Sequence, residues 1–331
     1  DGPPLADVAV ISTLDRDHLE PALLAMERGY DILLEKPMDV TPQGCQRLVE
    51  CARHYGRGLI VAHVLRYTKY FQVLRQIVSS GMLGEIATVR HFEPVHFWHQ
   101  AHSFVRGNWR NTSQTAPMIL AKSCHDMDIL IYLLGTRCRR ISSFGSLRHF
   151  RADKAPEQST ERCLDCPLMD EGCHYSAKRF YLDQYDQGSR GWPLDVLTVD
   201  VNRENVVRAL REGPYGRCVY RCDNDVVDHQ MVSMELEGGA SAMLVMHGHS
   251  NEEHRSMRYD GTRATLRARF GHVSEITIHE HGGKVEQIPV GDPNESGHGG
   301  GDHGLMADFL RTLRGESEAL TSARVALESH L

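Results

Sequence analysis

The stretch "GYDILLEKPMDV" (residues 29–40) decides the fold of this chain. Its apolar part, residues 30–34, is typical of a buried β-strand, and it ends at Glu35, Lys36 and Pro37. In an open parallel sheet, ligands bind outside the carboxyl ends of the strands, and lysine is a residue type that can exchange a proton with a hydroxyl. A surface turn carrying a charge pair would explain the tripeptide equally well. The function therefore depends on what this strand end contacts.

The residues on both sides of this stretch alternate between strand and helix. Apolar, β-branched strands are indicated at residues 6–13 and 58–67, and amphipathic helices at residues 18–29 and 41–56. Strands that alternate with helices form a parallel sheet with crossover helices. We therefore predict an α/β fold, in which residues 1–64 form the C-terminal half of a doubly wound, Rossmann-type dinucleotide-binding domain.

The pattern changes from residue 65 onward. One strongly apolar helix is indicated at residues 117–135, and residues 151–200 are polar, contain cysteines and have the character of an insertion. Strands are predicted at residues 86–97, 138–149, 226–236, 240–248, 255–269 and 273–280. Short turns between these strands favour a large, mostly antiparallel open sheet. Residues 65–331 are thus predicted to form an α+β domain for substrate binding and oligomerisation.

The composition argues against two classes of partner. Of the 331 residues, 41% are hydrophobic and 24% are charged, which is ordinary for a globular protein. A formal net charge of −7 argues against nucleic-acid binding, and no apolar stretch approaches the roughly 18 residues that a membrane helix needs.

The nine cysteines are not required as disulfides in a chain with so large a core. We therefore expect the reducing environment of the cytoplasm.

Several segments together resemble one family. The strand ending "VIST" (10–13) and the "EKP" tripeptide are followed by "VLRYTKYFQVLRQIVSSGMLGEIATVRHF" (64–92), "GNWRN" (107–111) and "PMILAKSCHDMDILIYLLG" (117–135). In this combination the chain resembles the Gfo/Idh/MocA family of nicotinamide-dependent oxidoreductases. The resemblance implies NAD or NADP as the cofactor, and hydride transfer to or from a sugar, cyclitol or related polyol.

The resemblance also implies roles for individual residues. Lys36 matches the family's catalytic lysine, and His125 matches its active-site histidine. The positions that match the cofactor site are Ser12, Thr13, His18, Glu35, Lys36, Trp109 and Arg110.

Two departures from the family pattern stand out. The glycine fingerprint G-x-G-x-x-G is absent, so we expect this chain, which starts without a methionine, to be an inactive fragment that lacks an N-terminal piece. The family often places an aspartate four residues before the histidine, where this chain has Ala121 followed by Lys122. On a continuous helix Lys122 would stand near His125, lower the pKa of that imidazole and assist it in catalysis.

A cysteine cluster predicts a structural metal. Cys163, Cys166 and Cys173 have the spacing of three ligands to a tetrahedral zinc ion, and Cys222 is the preferred fourth ligand. Cys218 and His174 are alternatives for that fourth position. A disulfide or an iron–sulfur cluster would also use this spacing.

Two other functions fit the same residues. One is a glycosidase of the family, which oxidises the sugar transiently and eliminates the glycoside; the other is a non-catalytic binding member, which Ala121 would suit. We also expect a homo-oligomer, a dimer or tetramer formed through the sheet of the second domain.

Overall fold

The first sheet is parallel, as the alternation of strand and helix predicts. The structure is a computed structural model that describes residues 5–290 and 296–331. Strands β1 (Val8–Ile11), β2 (Asp31–Leu34) and β3 (Leu59–Val61) pair in that order, and helices α1 (Leu19–Glu27) and α2 (Pro42–Tyr55) connect them. Glu35 and Lys36, which follow β2, therefore lie at the carboxyl edge of this sheet.

The second sheet contains eight strands in the order β11-β10-β9-β8-β4-β7-β6-β5. Its strands are β4 (Ile86–His96), β5 (Cys138–Ser146), β6 (His229–Leu236), β7 (Ser241–Ser250), β8 (Arg255–Gly261), β9 (Ala264–Phe270), β10 (Glu275–Glu280) and β11 (Val285–Ile288). Only the β4–β7 pair is parallel among these described strands. The expected mostly antiparallel open sheet is confirmed. The prediction of a single strand at 255–269 is wrong, because a turn at 262–263 divides this segment into β8 and β9.

Helices cover one face of the large sheet. Helices α3 (Lys69–Ser79) and α6 (Cys124–Leu134) bury apolar side chains such as Phe71 and Leu133 against strands β4, β7 and β8. The remaining helices are α4 (Phe97–His99), α5 (Met118–Ala121), α7 (Asp183–Asp186), α8 (Leu194–Leu197), α9 (Arg203–Glu212), α10 (Ser296–Leu313) and α11 (Ala323–Ala326). Within the described part of the chain, no helix is both long and apolar enough to cross a membrane.

The predicted helix at 117–135 is divided in two. Helix α5 ends at Ala121 and α6 begins at Cys124, and Ser123 between them has φ −84° and ψ 2°, outside the helical region. This break changes the direction in which Lys122 points relative to His125. The argument that placed both residues in one helical row is therefore wrong.

A buried ion pair links the segment after β3 to helix α6. Arg66 follows β3, and its guanidinium donates to both carboxylate oxygens of Asp128 on α6, at 2.7 and 2.6 Å. The C-terminal helix α11 returns to the first sheet, where Ala323 and Ala326 share its core. The core of the first sheet thus contains residues from near both ends of the chain. The predicted domain boundary between residues 64 and 65 therefore stays a prediction.

The segment predicted as an insertion has its own small core. Residues of α8 and α9 pack with Cys163, Tyr181 and Tyr215. This segment lies beside a π-helix at Gln100–Arg106, which follows α4. The placement brings the insertion close to the carboxyl end of β4.

Candidate active site

A cavity of about 400 Å³ opens where the carboxyl edge of the first sheet meets the second domain. Glu35 and Lys36 line it from the end of β2. Trp109 lines it from a short helical turn, and His125 from the start of α6. Lys122 also lines it, so the structure brings together five of the predicted residues, although they are up to 90 positions apart in the chain.

Lys36 reaches across the cavity. Its Nζ lies 3.3 Å from the carbonyl oxygen of Ala121, to which it donates a hydrogen bond. The side chain is only partly buried, whereas the following Pro37 and Met38 are buried. The ammonium therefore stands at the boundary between core and cavity, in contact with a neutral acceptor rather than a carboxylate.

His125 is held as a neutral imidazole. Burial lowers the pKa of His125 well below its ordinary value, and the charge of Lys36 lowers it further, followed by His63. Its Nδ1 is buried and has no hydrogen-bond partner among the described residues. An unprotonated imidazole that lines the cavity beside a lysine can accept a proton or a hydrogen bond from a hydroxyl group.

Lys122 is directed away from His125. Its ammonium donates to Glu253 at 2.9 Å and lies 3.5 Å from a carboxylate oxygen of Glu93. The two carboxylates raise the pKa of Lys122, although burial alone would lower it. Lys36 lowers the pKa of His125, whereas Lys122, for which this effect was predicted, is not among the groups that shift it.

Three carboxylates and two cations form the floor beneath the cavity. Arg255 donates to Asp126 at 2.8 Å and lies 3.2 Å from Glu93, and Lys122 bridges Glu93 and Glu253. Burial raises the pKa of Glu93 to about 7, against the opposing effect of Arg255. For Asp126, burial acts in the same upward direction, but Arg255 and His91 outweigh it and lower the pKa to about 2. Glu93 is therefore the carboxylate of this group that takes up a proton first as the pH falls through neutrality.

The predicted cofactor residues do not all line the cavity. His18 is buried behind it, with its Nδ1 2.7 Å from the carbonyl oxygen of Pro37, where it supports the turn that carries Lys36. Trp109 is oriented by a hydrogen bond from its indole nitrogen to Asp15 at 3.3 Å.

The other three predicted cofactor residues lie outside the cavity lining. Ser12 and Thr13 are exposed at the end of β1, near the same edge of the sheet. The guanidinium of Arg110 donates to Asp223 at 2.9 Å, away from the cavity.

Several cavity residues were missed by the sequence analysis. They share no local motif and come from three separate segments: His99, Ser103, Phe104, Glu253, Arg255, His298 and Asp302. The dense His and Gly run at 297–303 was one available signal, since His298 and Asp302 belong to it. Glu253 had no such signal, because the turn after β7 that positions it is ordinary in composition.

The cysteines only partly follow the zinc prediction. Cys163, Cys166, Cys173 and Cys218 line one small cavity of about 20 Å³, which Cys222 does not line. All nine cysteines are free thiols, and burial raises the pKa of Cys218 to about 11. Among residues 5–290 and 296–331, no group of three or more His, Cys, Asp or Glu is arranged to hold a metal ion. The structure therefore gives the predicted zinc no support, and His174 is exposed outside this cluster.

Comparison with known proteins identifies the family. Residues 2–63 match the NAD-binding Rossmann fold of the Gfo/Idh/MocA oxidoreductase family, and residues 75–330 match its C-terminal alpha/beta domain. YteT of Bacillus subtilis (strain 168), a protein assigned as an oxidoreductase, is 23% identical over 92% of this chain and 72% of its own length. An inositol 2-dehydrogenase of Serratia proteamaculans (strain 568) is 29% identical over 39% of this chain and 36% of its own length.

A solved structure agrees with the fold. Levoglucosan dehydrogenase, in complex with NADH and levoglucosan, superposes with a TM-score of 0.70 at 15% identity, covering 99% of this chain and 76% of that one. Both domain profiles match in chain order and together span most of the sequence. The chain therefore belongs to the Gfo/Idh/MocA family of oxidoreductases.

Proposed function

We propose that the protein transfers a hydride between NAD or NADP and a hydroxyl-bearing carbon of a sugar, cyclitol or related polyol. The observation that carries the proposal is the position of Lys36 beside the neutral His125, in one cavity at the carboxyl end of β2. A lysine and an imidazole that line the same cavity are suited to proton exchange with an alcohol bound there.

The residues around the cavity fit a nicotinamide cofactor. His125 and Trp109 both line this space, and their imidazole and indole rings offer one polar and one apolar contact for ligands. Glu35 and Lys36 would hold the nicotinamide end of the cofactor, and Ser12 with Thr13 the part nearer to β1. The bound cofactor would supply the hydride chemistry.

The chain's own residues would manage the proton. As the hydride leaves a polyol carbon, the hydroxyl proton passes to the neutral imidazole of His125, or to Lys36 once its ammonium has released a proton to solvent. His125 is available as an acceptor because burial keeps its imidazole neutral. Arg255, Lys122 and Glu253 would orient the remaining hydroxyls from the floor, where the donors and acceptors are already fixed by ion pairs.

Substitution of Lys36 tests the proposed function. In the intact protein, Lys36→Ala should lower kcat by about 10²–10⁴-fold, because a proton shuttle is lost. It should weaken NADH binding by no more than about threefold, because the proposed cofactor contacts of Glu35, Ser12 and Thr13 remain. Lys154→Ala, which removes an exposed lysine in the insertion, serves as the charge-matched control. Turnover of the Lys36→Ala variant at the control rate would show that another group moves the proton.

The same assay separates the alternative functions. A glycosidase would release an aglycone without net accumulation of NADH, so products and NADH are measured together. Cofactor binding without turnover on a panel of polyols and glycosides would indicate a non-catalytic member.

We also propose that the protein self-associates through the uncovered face of its large sheet. An apolar row crosses four neighbouring strands there, because Phe144, Met231, Val245 and Phe92 are successive cross-strand partners. Phe144 is 77% exposed and Met231 45% exposed, and such a patch favours a protein–protein contact. Phe144→Glu should convert a dimer or tetramer into smaller species by light scattering after gel filtration. A mass unchanged by this variant would contradict the proposed interface.

The cytoplasm remains our proposal for the compartment. It is supported by the nine free thiols, since an oxidising environment favours disulfides between neighbouring cysteines such as those around the small cavity.

A further inference from the structure

An aromatic groove lies next to the candidate active site. The groove has a volume of about 320 Å³, and its lining includes Phe97, Trp98, His174, Arg179, Phe180 and Gln187. Trp98 and Phe180 stack with their ring centroids 4.9 Å apart. The groove is built from both the segment after β4 and the insertion, so it is a feature of this chain's added segment.

The groove and the cavity are separated by a single stretch of helix. His99 and Ser103 point into the active-site cavity, whereas Trp98 and Ala101 of the same stretch line the groove. Trp192 of the insertion contacts both sides, with its ring centroid 5.4 Å from His99 and 5.3 Å from Trp98. Trp192 therefore packs against one lining residue of the cavity and one of the groove, although it belongs to neither lining.

Trp192 retains a large free surface at this junction. Its side chain is 49% exposed. A tryptophan that is exposed in the free protein can contribute strongly to binding when a ligand covers it. A cluster of exposed aromatic side chains beside a ligand cavity is typical of a binding surface. The indole thus offers an apolar platform that continues from the rim of the active site.

Polar groups flank this platform. The side chains of Arg179 and Gln187 have no hydrogen-bond partner among the described residues, and His174 is likewise exposed. A sugar ring has an apolar face made of C–H groups and a polar edge of hydroxyls. A stacking aromatic surface with free donors at its border matches both parts of such a ring.

We propose that the aromatic groove binds a second sugar ring, so that the substrate is a glycoside or oligosaccharide of at least two rings rather than a free monosaccharide. The reacting ring lies in the cavity beside Lys36, and the next ring stacks at Trp192 and enters the groove. The inference rests on the proposed function, because it takes the reacting ring to be a polyol.

The test compares disaccharides with their matching monosaccharides. Binding to the intact protein, loaded with NADH, is measured by calorimetry for a panel of neutral and uronic disaccharides and for the single rings of each. The best disaccharides should bind about tenfold to thirtyfold more tightly than their monosaccharides, because the second ring covers the indole. Trp192→Ala should remove this advantage and leave monosaccharide affinity within about twofold, whereas Trp192→Phe should keep part of it.

Tyr55→Ala is the matched control, since Tyr55 is a 42% exposed aromatic residue at the far end of α2. This control should leave both affinities unchanged. The inference is overturned if no disaccharide in the panel binds more tightly than its monosaccharide, or if Trp192→Ala weakens both ligands equally while unfolding normally. A protein that shows the Trp192-dependent advantage but oxidises no polyol would support the groove and refute the proposed function, so the two are tested separately.

Discussion

Glu93 offers a test of the charged floor beneath the cavity. Three carboxylates, Glu93, Asp126 and Glu253, face two permanent cations, Lys122 and Arg255. An unbalanced buried negative charge is costly, so one carboxylate retains a proton. Glu93 is the one that does so, because it is 1% exposed and neither of its oxygens accepts a hydrogen bond from the described residues.

The size of the effect follows from the pKa. In the folded state the pKa of Glu93 is raised by burial from 4.5 to about 7. Between these two values the folded state holds a proton that the unfolded state has released, so the free energy of unfolding falls as pH rises through this window. A shift of that size corresponds to about 3 kcal/mol of stability lost above pH 7, and none lost below the unfolded value.

Replacement of Glu93 by glutamine should remove this loss. The amide has the shape of the protonated carboxyl and does not titrate, so Glu93→Gln should match the wild type near pH 5. Near pH 8 it should be more stable by about 3 kcal/mol. Urea unfolding, followed by circular dichroism at both pH values, measures the difference.

A second substitution in the same floor serves as the control. Asp126 has a pKa lowered to about 2, after Arg255 and His91 outweigh the effect of burial, so its contribution is lost only as pH falls through that value. Near pH 5, Asp126→Asn should destabilise the protein by about 3–5 kcal/mol, because Arg255 loses its carboxylate partner. The loss should be smaller near pH 8, because the Asp126 charge raises the pKa of Glu93 and its removal favours an ionised Glu93 there. If Glu93→Gln shifts stability equally at both pH values, Glu93 is ionised throughout and the charge count is wrong.

Two further substitutions test the contacts at the site and at the junction between the sheets. Lys122→Met should leave the imidazole limb of the pH–rate profile well below pH 6.5, because Lys122 pairs with Glu253 and not with His125; a limb that moves toward neutrality would restore the original prediction. Arg66→Ala should lower the free energy of unfolding by about 3–5 kcal/mol, since it leaves the Asp128 carboxylate buried without its bidentate partner, and Asp128→Asn in the same background should recover part of the loss in urea unfolding.

The parts of the fold that follow local periodicity could be predicted from the sequence. Strands β1 to β3 are short apolar runs separated by amphipathic helices, and this order alone requires a parallel sheet. The position of Lys36 at the carboxyl end of β2 follows from the same pattern. Its role and that of His125 came from family resemblance, because neither residue carries a distinctive local signal.

The geometry around His125 could not be predicted, because it depends on a break within an apolar run. Residues 117–135 have the composition of one continuous helix, yet α5 ends at Ala121 and α6 starts at Cys124. In the structure Lys122 is fixed by Glu93 and Glu253, which lie 29 and 131 positions away in the chain. Contacts of this kind are set by the register of β4 and by the turn after β7, and helical periodicity contains no information about them.

The cysteine cluster shows the same limit in another form. The spacing of Cys163, Cys166 and Cys173 brings the three thiols to one cavity, and Cys218 joins them through a bridge between Arg162 and Arg217. Spacing can bring ligands together, but it does not fix the directions of their sulfur atoms. The preferred fourth ligand, Cys222, points elsewhere and its thiol donates to the carbonyl oxygen of Cys218.

The departure at Ala121 has a consequence for the chemistry of the site. The family resemblance leads to the expectation of a carboxylate at this position, and in this chain a carboxylate reaches the cavity from Glu253 instead. Glu253 is already paired with Lys122 and accepts a hydrogen bond from His99 at 2.8 Å, so its charge is compensated before any ligand binds. Its charge is not among the main influences on the pKa of His125, which burial and then Lys36 lower. The imidazole thus stays neutral without a carboxylate at position 121, as the proton acceptor in our proposed reaction must be.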